Sequence, residues 1–131
     1  ARGVDLKPGQ ACAYGAKDGK VAFGFSGNPV AAVAGFYIVA LPAFKKLTGR
    51  GDGKPDEITV TLTDSFGKKS DKTRLLWGYR DLKDGTVKMG LSRAQCNVTV
   101  SGIMGCDCIA FVPKGSGKLD PGTVLEAMMI D

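Results

Sequence analysis

The most apolar stretch of the chain runs from Val21 to Phe44 without a charged residue, and a polar tetrapeptide, Ser26–Pro29, interrupts it. Before the tetrapeptide, apolar residues occupy both faces of the extended segment Val21–Phe25. Such a segment is typical of a strand covered on both sides, as in an α/β sheet. After the tetrapeptide, apolar residues recur at helical spacing as far as Leu47. The pattern predicts a strand, a tight turn and a long helix.

The termini of this helix are marked by residues with known end preferences. Asn28 is a good N-cap and Pro29 suits the first helical position, whereas Gly49 is a natural terminator. Pro42 lies inside the helix and should kink it. A membrane span is disfavoured because the helix is only about 28 Å long. Its last turn also carries Lys45–Lys46, so we expect no membrane partner.

The first fifty residues also contain turn signals. We expect Gly3–Leu6 to form a short strand that leads into the turn Lys7–Gly9, and Lys17–Gly19 to join two extended pieces as a hairpin. If Gly3–Leu6 and Val21–Phe25 are parallel neighbours, the turn Lys7–Gly9 and Gly27 meet at the carboxyl edge of the sheet. A glycine turn before a helix N-terminus offers free N–H groups, which suit an anion. The alternative is a tight turn that holds no ligand.

The rest of the chain reads as a linker followed by short strands. Residues 49–57 contain glycine, proline and charged residues with no apolar residue, so we place a linker at 50–57. Asp-Gly at 84–85 signals a hairpin, and residues 97–105 resemble a strand except for their two glycines. Five strands with frequent turns predict a small barrel or sandwich. They are predicted at 58–63, 73–82, 85–92, 108–113 and 123–130.

Composition narrows the possible functions. The chain has 131 residues, 19 of them glycine, and a net charge of +5. This mild excess suits phosphates or oxyanions, although ordinary solubility explains it equally well. Nucleic-acid binding is disfavoured, because few aromatic residues accompany the basic ones. The loop Gly115–Lys118 lacks the spacing of a phosphate-binding P-loop and is interpreted as a hairpin loop.

The sequence contains no recognisable arrangement of catalytic residues. There is no histidine, so no Ser-His or Cys-His pair exists within the chain. The spacing Cys106-Asp107-Cys108 does not match a zinc knuckle, and with Cys12 and Cys96 it indicates reduced cysteines in a cytoplasmic protein. An unusual metal site or a redox role is the alternative. Any chemistry must rest on electrostatics and positioning.

Two sequence segments resemble the MoeA and gephyrin E-domain family, the molybdenum insertases of molybdenum cofactor synthesis. "KPG" at 7–9 and "FGFSGNPVAAVAGFYIVALPAFKKLTG" at 23–49 are similar to the family's K-P-G-K-P and F-G-L-P-G-N-P-V-S motifs and the helix that follows. The later segments are a looser match. They are Thr73–Trp77, Gln95–Asn97, Ser101–Gly102, Cys106–Pro113 and Asp120–Glu126.

The resemblance implies that the chain is a fragment of a protein about three times longer. Residues 1–49 would close a MogA-like α/β pterin-binding domain, and 58–131 would form the C-terminal β domain. The family inserts molybdate into adenylated molybdopterin with the help of magnesium, as a cytoplasmic homodimer. For this chain the resemblance implies the remainder of the protein as a further partner, no turnover by the fragment alone, and a short helix within 97–105.

Site residues carry over only where the motifs match. The resemblance implies that an oxyanion or pterin phosphate contacts Lys7, Pro8, Gly9, Ser26, Gly27, Asn28, Pro29, Arg74 and Ser101. The motif differs at Gln10, Ala11, Ser26 and Ala31, where the family has lysine, proline, proline and serine. These departures leave an alternative open, namely a non-catalytic pterin- or oxyanion-binding or scaffolding module of the same fold.

Overall fold

The computed structural model describes residues 2–83, 86–92 and 100–130. The chain divides into two compact units, Ala1–Pro55 and Asp56–Asp131, and the division lies inside the segment predicted as a linker. The first unit contains a hairpin and one long helix, and the second contains a five-stranded barrel.

A hairpin forms the sheet of the first unit. Strands β2 (Cys12–Lys17) and β3 (Lys20–Phe25) pair antiparallel, and Lys17 opposite Lys20 closes the ladder. The two turn residues, Asp18 and Gly19, have φ of 51° and 72°, as a type I′ turn requires. The predicted hairpin is therefore confirmed.

Two expectations for these strands are wrong. Strand β1 covers only Leu6–Lys7, instead of Gly3–Leu6, and among the described residues β3 has no parallel neighbour. The N-terminal residues lie beside β2 instead, because Arg2 forms an antiparallel bridge with Ala13 and the N–H of Gly3 donates to the Cys12 carbonyl. Strand β3 is also not covered on both sides. The Phe23 ring makes an edge-to-face contact with Phe44 of the helix, at 5.5 Å between ring centres. Ala22, on the opposite face of the strand, is exposed.

The predicted helix is observed and ends where its sequence signals indicate. It comprises α1 (Pro29–Gly35), a π-helical turn (Phe36–Ala40) and α2 (Leu41–Leu47). Gly49, with φ of 69°, ends it, and the N–H groups of residues 49 and 50 donate to the carbonyls of residues 46 and 45. This arrangement is a Schellman motif.

The π-helical turn stands where the sequence predicts a kink. The N–H of Leu41 donates to the carbonyl of Phe36, five residues earlier. Pro42 follows immediately, and its ring would crowd the carbonyl four residues before it in a regular α-helix. Widening the preceding turn relieves this crowding, so the irregularity has a local cause. By length and composition, Pro29–Leu47 could also cross a membrane, a test that core helices of soluble proteins pass as well.

The second unit is a closed five-stranded barrel, which decides between the two predicted β architectures. Around the barrel the order is β5-β6-β4-β8-β7, and β7 returns to β5. Only the β4–β6 pair is parallel. The strands are β4 (Glu57–Leu62), β5 (Thr73–Lys83), β6 (Thr86–Leu91), β7 (Cys108–Val112) and β8 (Val124–Met129).

The barrel interior follows the alternation seen in the sequence. Its largest fully buried side chains include Leu62, Leu76 and Met89, contributed by three different strands. Lys83 pairs with Thr86, so β5 and β6 form the predicted hairpin, although its turn residues 84–85 lie outside the described residues.

Between β6 and β7 the described residues form a short helix, α3 (Val100–Ile103), as the resemblance implies and strand propensity does not. The segment Gln95–Asn97, which includes Cys96 and contributed to the resemblance, lies outside the described residues.

Candidate functional site

The turn at Ser26–Pro29 is built by its own side chains. Asn28 caps the helix, and its Oδ1 accepts the N–H groups of Val30 and Ala31 at 3.1 and 3.2 Å. Ser26 Oγ accepts the N–H of Asn28 at 3.2 Å. Pro29 has no N–H group. The helix start therefore satisfies most of its own donors, and fewer N–H groups face outward than the sequence pattern suggests.

Gly27 keeps an available donor in this turn. Its N–H makes no hydrogen bond within the described part of the chain, and the residue is exposed. A Cβ at position 27 would meet no atom within 4 Å, so the space above the glycine is open. An anion could approach the Gly27 N–H at the positive end of the helix dipole.

The turn Lys7–Gly9 lies against the first turns of the same helix. A Cβ built on Gly9 would be 3.6 Å from Ala34 Cβ and 3.8 Å from the Ala31 carbonyl oxygen. Gly9 is buried with φ of 114°, a conformation that only glycine adopts without strain, and the Lys7–Pro8 peptide is cis. The structure thus brings the two motifs of the first unit to one helix, with Lys7 exposed beside it.

We expect replacement of Asn28 by alanine to destabilise the first unit by about 1 kcal/mol, because two N–H groups lose their acceptor. Urea unfolding followed by the helical circular dichroism signal measures this change. Asn28→Asp keeps an acceptor oxygen in place and should retain most of the stability. Equal losses in the two variants would contradict the assigned cap.

Arg74 is a candidate site residue whose charged side chain is buried. It lies at the start of β5 and is 8% exposed. Its guanidinium carbon lies 5.5 Å from the centre of the Phe66 ring. Within the described residues its Nε is buried with no hydrogen-bond partner. A buried donor without an acceptor costs about 1–3 kcal/mol, so an anion that accepted a hydrogen bond from this Nε would offset that cost.

Ser101 lies elsewhere on the barrel. It belongs to α3 and is exposed. Its neighbour Gly102 accepts a hydrogen bond from Ser92, whose N–H donates to the Trp77 carbonyl. Arg74 instead pairs with Val112 at the other end of the β5–β7 ladder. The two candidates therefore contact different parts of the barrel.

Cys106 and Cys108 are poor nucleophiles. Burial, reinforced by the Asp107 carboxylate, raises the pKa of the Cys108 thiol to about 12. Burial also raises the pKa of Cys106, against hydrogen bonds from Tyr79 and Ser92 that lower it. Both thiols are protonated at neutral pH and are neither activated nucleophiles nor ready metal ligands.

Asp107 has a structural role beside these thiols. Its Oδ1 accepts the backbone N–H of Arg80 at 2.8 Å and lies 3.5 Å from the Arg80 Nε. Its backbone joins β5 to the end of β8 through bonds to Gly78 and Ile130. Among the described residues, no three His, Cys, Asp or Glu side chains cluster as a metal site would need.

Sequence reasoning missed Phe66, which supplies the only aromatic ring found over the Arg74 guanidinium in the described ranges. No local signal could have identified it, because Phe66 and Arg74 meet only after the barrel has closed. The lysine-rich segments on either side of this contact were visible in the sequence, but their proximity to one another was not.

Comparison with curated proteins identifies relatives over almost the whole chain. The chain is 28% identical over 128 residues to proteins named molybdopterin molybdenumtransferase from Staphylococcus aureus (strains Mu50 and N315) and from Staphylococcus epidermidis. The match covers 98% of this chain and 30% of each relative. The chain therefore spans about a third of the length of the relatives that it matches. No protein-family profile matches it.

Solved structures show the same likeness at the level of the fold. The molybdopterin biosynthesis moeA protein of Pyrococcus horikoshii OT3 superposes with a TM-score of 0.73 over 99% of this chain, at 18% identity and over 32% of its own length. A molybdenum cofactor biosynthesis protein of Pyrococcus furiosus gives a TM-score of 0.75 over 99% of this chain, at 20% identity and over 44% of its own length. The resemblance inferred from the sequence motifs is confirmed.

Proposed function

We propose, from this likeness to the MoeA family, that the chain is a portion of a protein of molybdenum cofactor biosynthesis that inserts molybdate into adenylated molybdopterin. The observation that carries the proposal is the match to molybdopterin molybdenumtransferases along 98% of the chain. The site geometry fits an anionic substrate, because it offers an exposed lysine, a buried arginine and an open N–H group.

The first unit would hold the anion between Lys7 and the Gly27 N–H. Lys7 is exposed beside the helix, and the backbone at Gly27 is open to a ligand. Pro8 and Gly9 fix the turn against the helix, and Ser26, Asn28 and Pro29 fix the loop that presents the N–H. A charge-assisted contact from the lysine would contribute about 1.5–3 kcal/mol. The role of these residues is to bind and orient the oxyanion or the pterin phosphate.

The second unit would contribute Arg74 and Ser101. The buried Nε of Arg74 has no acceptor among the described residues, and an oxyanion or a phosphate oxygen would supply one. Ser101 is exposed and offers a hydroxyl group. Which anion each residue contacts depends on the remainder of the protein.

In this proposal, residues 1–49 belong to a MogA-like pterin-binding domain and 58–131 to the C-terminal β domain, joined by 50–57. The complete protein would be a cytoplasmic homodimer. Magnesium, which the family implies, finds no ligand cluster in residues 2–83, 86–92 and 100–130, so no step is assigned to it here.

The proposal is tested in the complete protein that contains this chain. We expect Lys7→Ala to lower the rate of molybdate insertion, at molybdate concentrations below saturation, by roughly 10- to 150-fold, the equivalent of one charge-assisted contact. Insertion is measured as molybdate-dependent conversion of adenylated molybdopterin. Lys20→Ala, at the exposed start of β3, is the matched control and should leave the rate unchanged.

An equal loss in both lysine variants, or no insertion by the unaltered protein, would overturn the assignment.

One observation favours the alternative of a non-catalytic module. Ser26 and Asn28 satisfy donors that an anion would otherwise take, and only the Gly27 N–H stays available in the described part of this turn. Molybdopterin binding without molybdate-dependent insertion would identify such a module.

A further inference from the structure

Two loops of the second unit run side by side between two pairs of opposed residues. One loop joins Phe66 to Arg74, and the other joins Val112 to Leu119. Phe66 and Leu119 exchange backbone hydrogen bonds of 2.9 and 2.8 Å at one end, and Arg74 faces Val112 in the ladder at the other. Midway, the N–H of Gly115 donates to the carbonyl of Ser70 at 2.8 Å. The two loops therefore form one continuous surface, here called the loop pair (residues 67–73 and 113–118).

The loop pair concentrates positive charge. It carries five lysines against a single carboxylate, Asp71; the lysines are Lys68, Lys69, Lys72, Lys114 and Lys118. The nearest additional carboxylate in sequence, Asp120, lies 3.8 Å from Lys118 at an exposed position. Adjacent strands lie about 5 Å apart, well within the Debye length of about 8 Å at physiological salt. The loop pair therefore brings lysines from two distant parts of the sequence onto one surface.

Backbone around these lysines is open to a ligand. A Cβ added at Gly67, Gly115 or Gly117 would meet no atom within 4 Å. The Arg74 guanidinium is buried next to the loop pair and lies over the Phe66 ring. Its Nε has no hydrogen-bond partner among the described residues. The surface thus combines several lysines, accessible backbone and a buried arginine side chain.

We propose that the loop pair binds a soluble ligand carrying several phosphate groups. The inference goes beyond the proposed function, because it needs neither molybdate nor the first unit, and Arg74 is the one residue that the two proposals share. Lysine is a compact point charge that suits phosphate oxygens from many directions. A single phosphate would contact few of these lysines, whereas a chain of phosphates would reach from Lys68 on one loop to Lys118 on the other.

A nucleic acid fits this surface less well. Residues 67–73 and 113–118 contain no aromatic side chain, so the loop pair offers no platform on which unpaired bases could stack. Its length, six or seven residues on each side, suits a small ligand rather than an extended polymer.

Sodium tripolyphosphate is the probe, titrated by calorimetry at low salt into the complete protein that contains this chain. We expect saturable binding that weakens as salt is added. Lys68→Gln/Lys69→Gln/Lys118→Gln should raise the dissociation constant at least about tenfold, because three charge-assisted contacts are removed. The charge-matched control Lys17→Gln/Lys20→Gln/Lys54→Gln should change it less than about twofold. Circular dichroism checks that both variants are folded.

Parallel titrations distinguish the source of the phosphate. Phosphatidylinositol-bisphosphate vesicles test a lipid headgroup, and a single-stranded oligonucleotide tests a nucleic acid. Binding of tripolyphosphate that is lost only in the loop variant supports the proposal. Equal losses in both triple variants, no binding of tripolyphosphate, or binding only to vesicles or only to the oligonucleotide would overturn it.

Discussion

Replacing Gly78 by alanine is expected to destabilise the second unit by about 3 kcal/mol or more. Gly78 lies in β5, and a Cβ there would be 2.3 Å from the Gly90 carbonyl oxygen and 2.5 Å from Met89 Cε. The first of these atoms belongs to the backbone of β6, so relief requires the strands to separate. Overpacking of this kind typically costs 1–3 kcal/mol and more when the backbone must move. Urea unfolding of the chain, followed by Trp77 fluorescence, measures the loss.

Gly90 provides the matched control. It lies opposite Tyr79 in the same strand pair, yet a Cβ there would come no closer than 3.7 Å to Thr63 Oγ1. Gly90→Ala should therefore change the unfolding free energy by less than about 1 kcal/mol. If the two alanine variants were equally stable, the close approach of β5 and β6 at Gly78 would be refuted.

Stability of the second unit is expected to fall at alkaline pH because of Cys108. Burial raises the pKa of this thiol to about 12 in the folded chain, against 9.0 for an ordinary thiol. Above pH 9 the unfolded chain therefore loses the proton while the folded chain keeps it. The stability that the protonated Cys108 thiol contributes is present in full below pH 9 and is lost as pH rises towards 12. The unfolding free energy should therefore fall by up to about 1.4 kcal/mol per pH unit, which amounts to about 2.5 kcal/mol between pH 9 and 11.

The physical cause is the surroundings of the sulfur. Cys108 is fully buried, and its Sγ donates to the Gly78 carbonyl oxygen at 3.6 Å. A thiolate would lose that bond and would face the Asp107 carboxylate. Unfolding free energies of the chain and of Cys108→Ala, measured under reducing conditions from pH 8 to 11, test this account. The alanine variant should be less stable at pH 8, and its stability should fall less steeply. Parallel curves would contradict it.

Local signals in the sequence determined most of the secondary structure. In the hairpin, Asp18 and Gly19 have the positive φ values that an Asp-Gly turn favours. The long helix begins at Asn28-Pro29 and ends at Gly49 because capping depends on residues within one turn of each end. The barrel strands follow the alternation of apolar residues, since the side chains of one strand face the interior at every second position.

The sequence predicted the candidate anion-binding site only in part. The motif at Ser26–Pro29 correctly indicated a capped helix start. Its side chains, however, accept N–H groups that the sequence argument left free for a ligand. Hydrogen bonds within a loop depend on side-chain rotamers, which the order of residues does not specify. The assignment of Lys7, Gly27, Arg74 and Ser101 to an oxyanion stays a prediction.

By itself, the sequence determined the hairpin, the capped helix, the barrel strands and the resemblance to the MoeA family, because each rests on residues close together along the chain. Tertiary structure alone decided that β3 is covered on one face, that Arg74 is buried over Phe66, and that two lysine-rich loops lie side by side. These features join residues separated by eight to about fifty positions. Closure of the barrel and packing of the helix bring them together, and no local propensity encodes that.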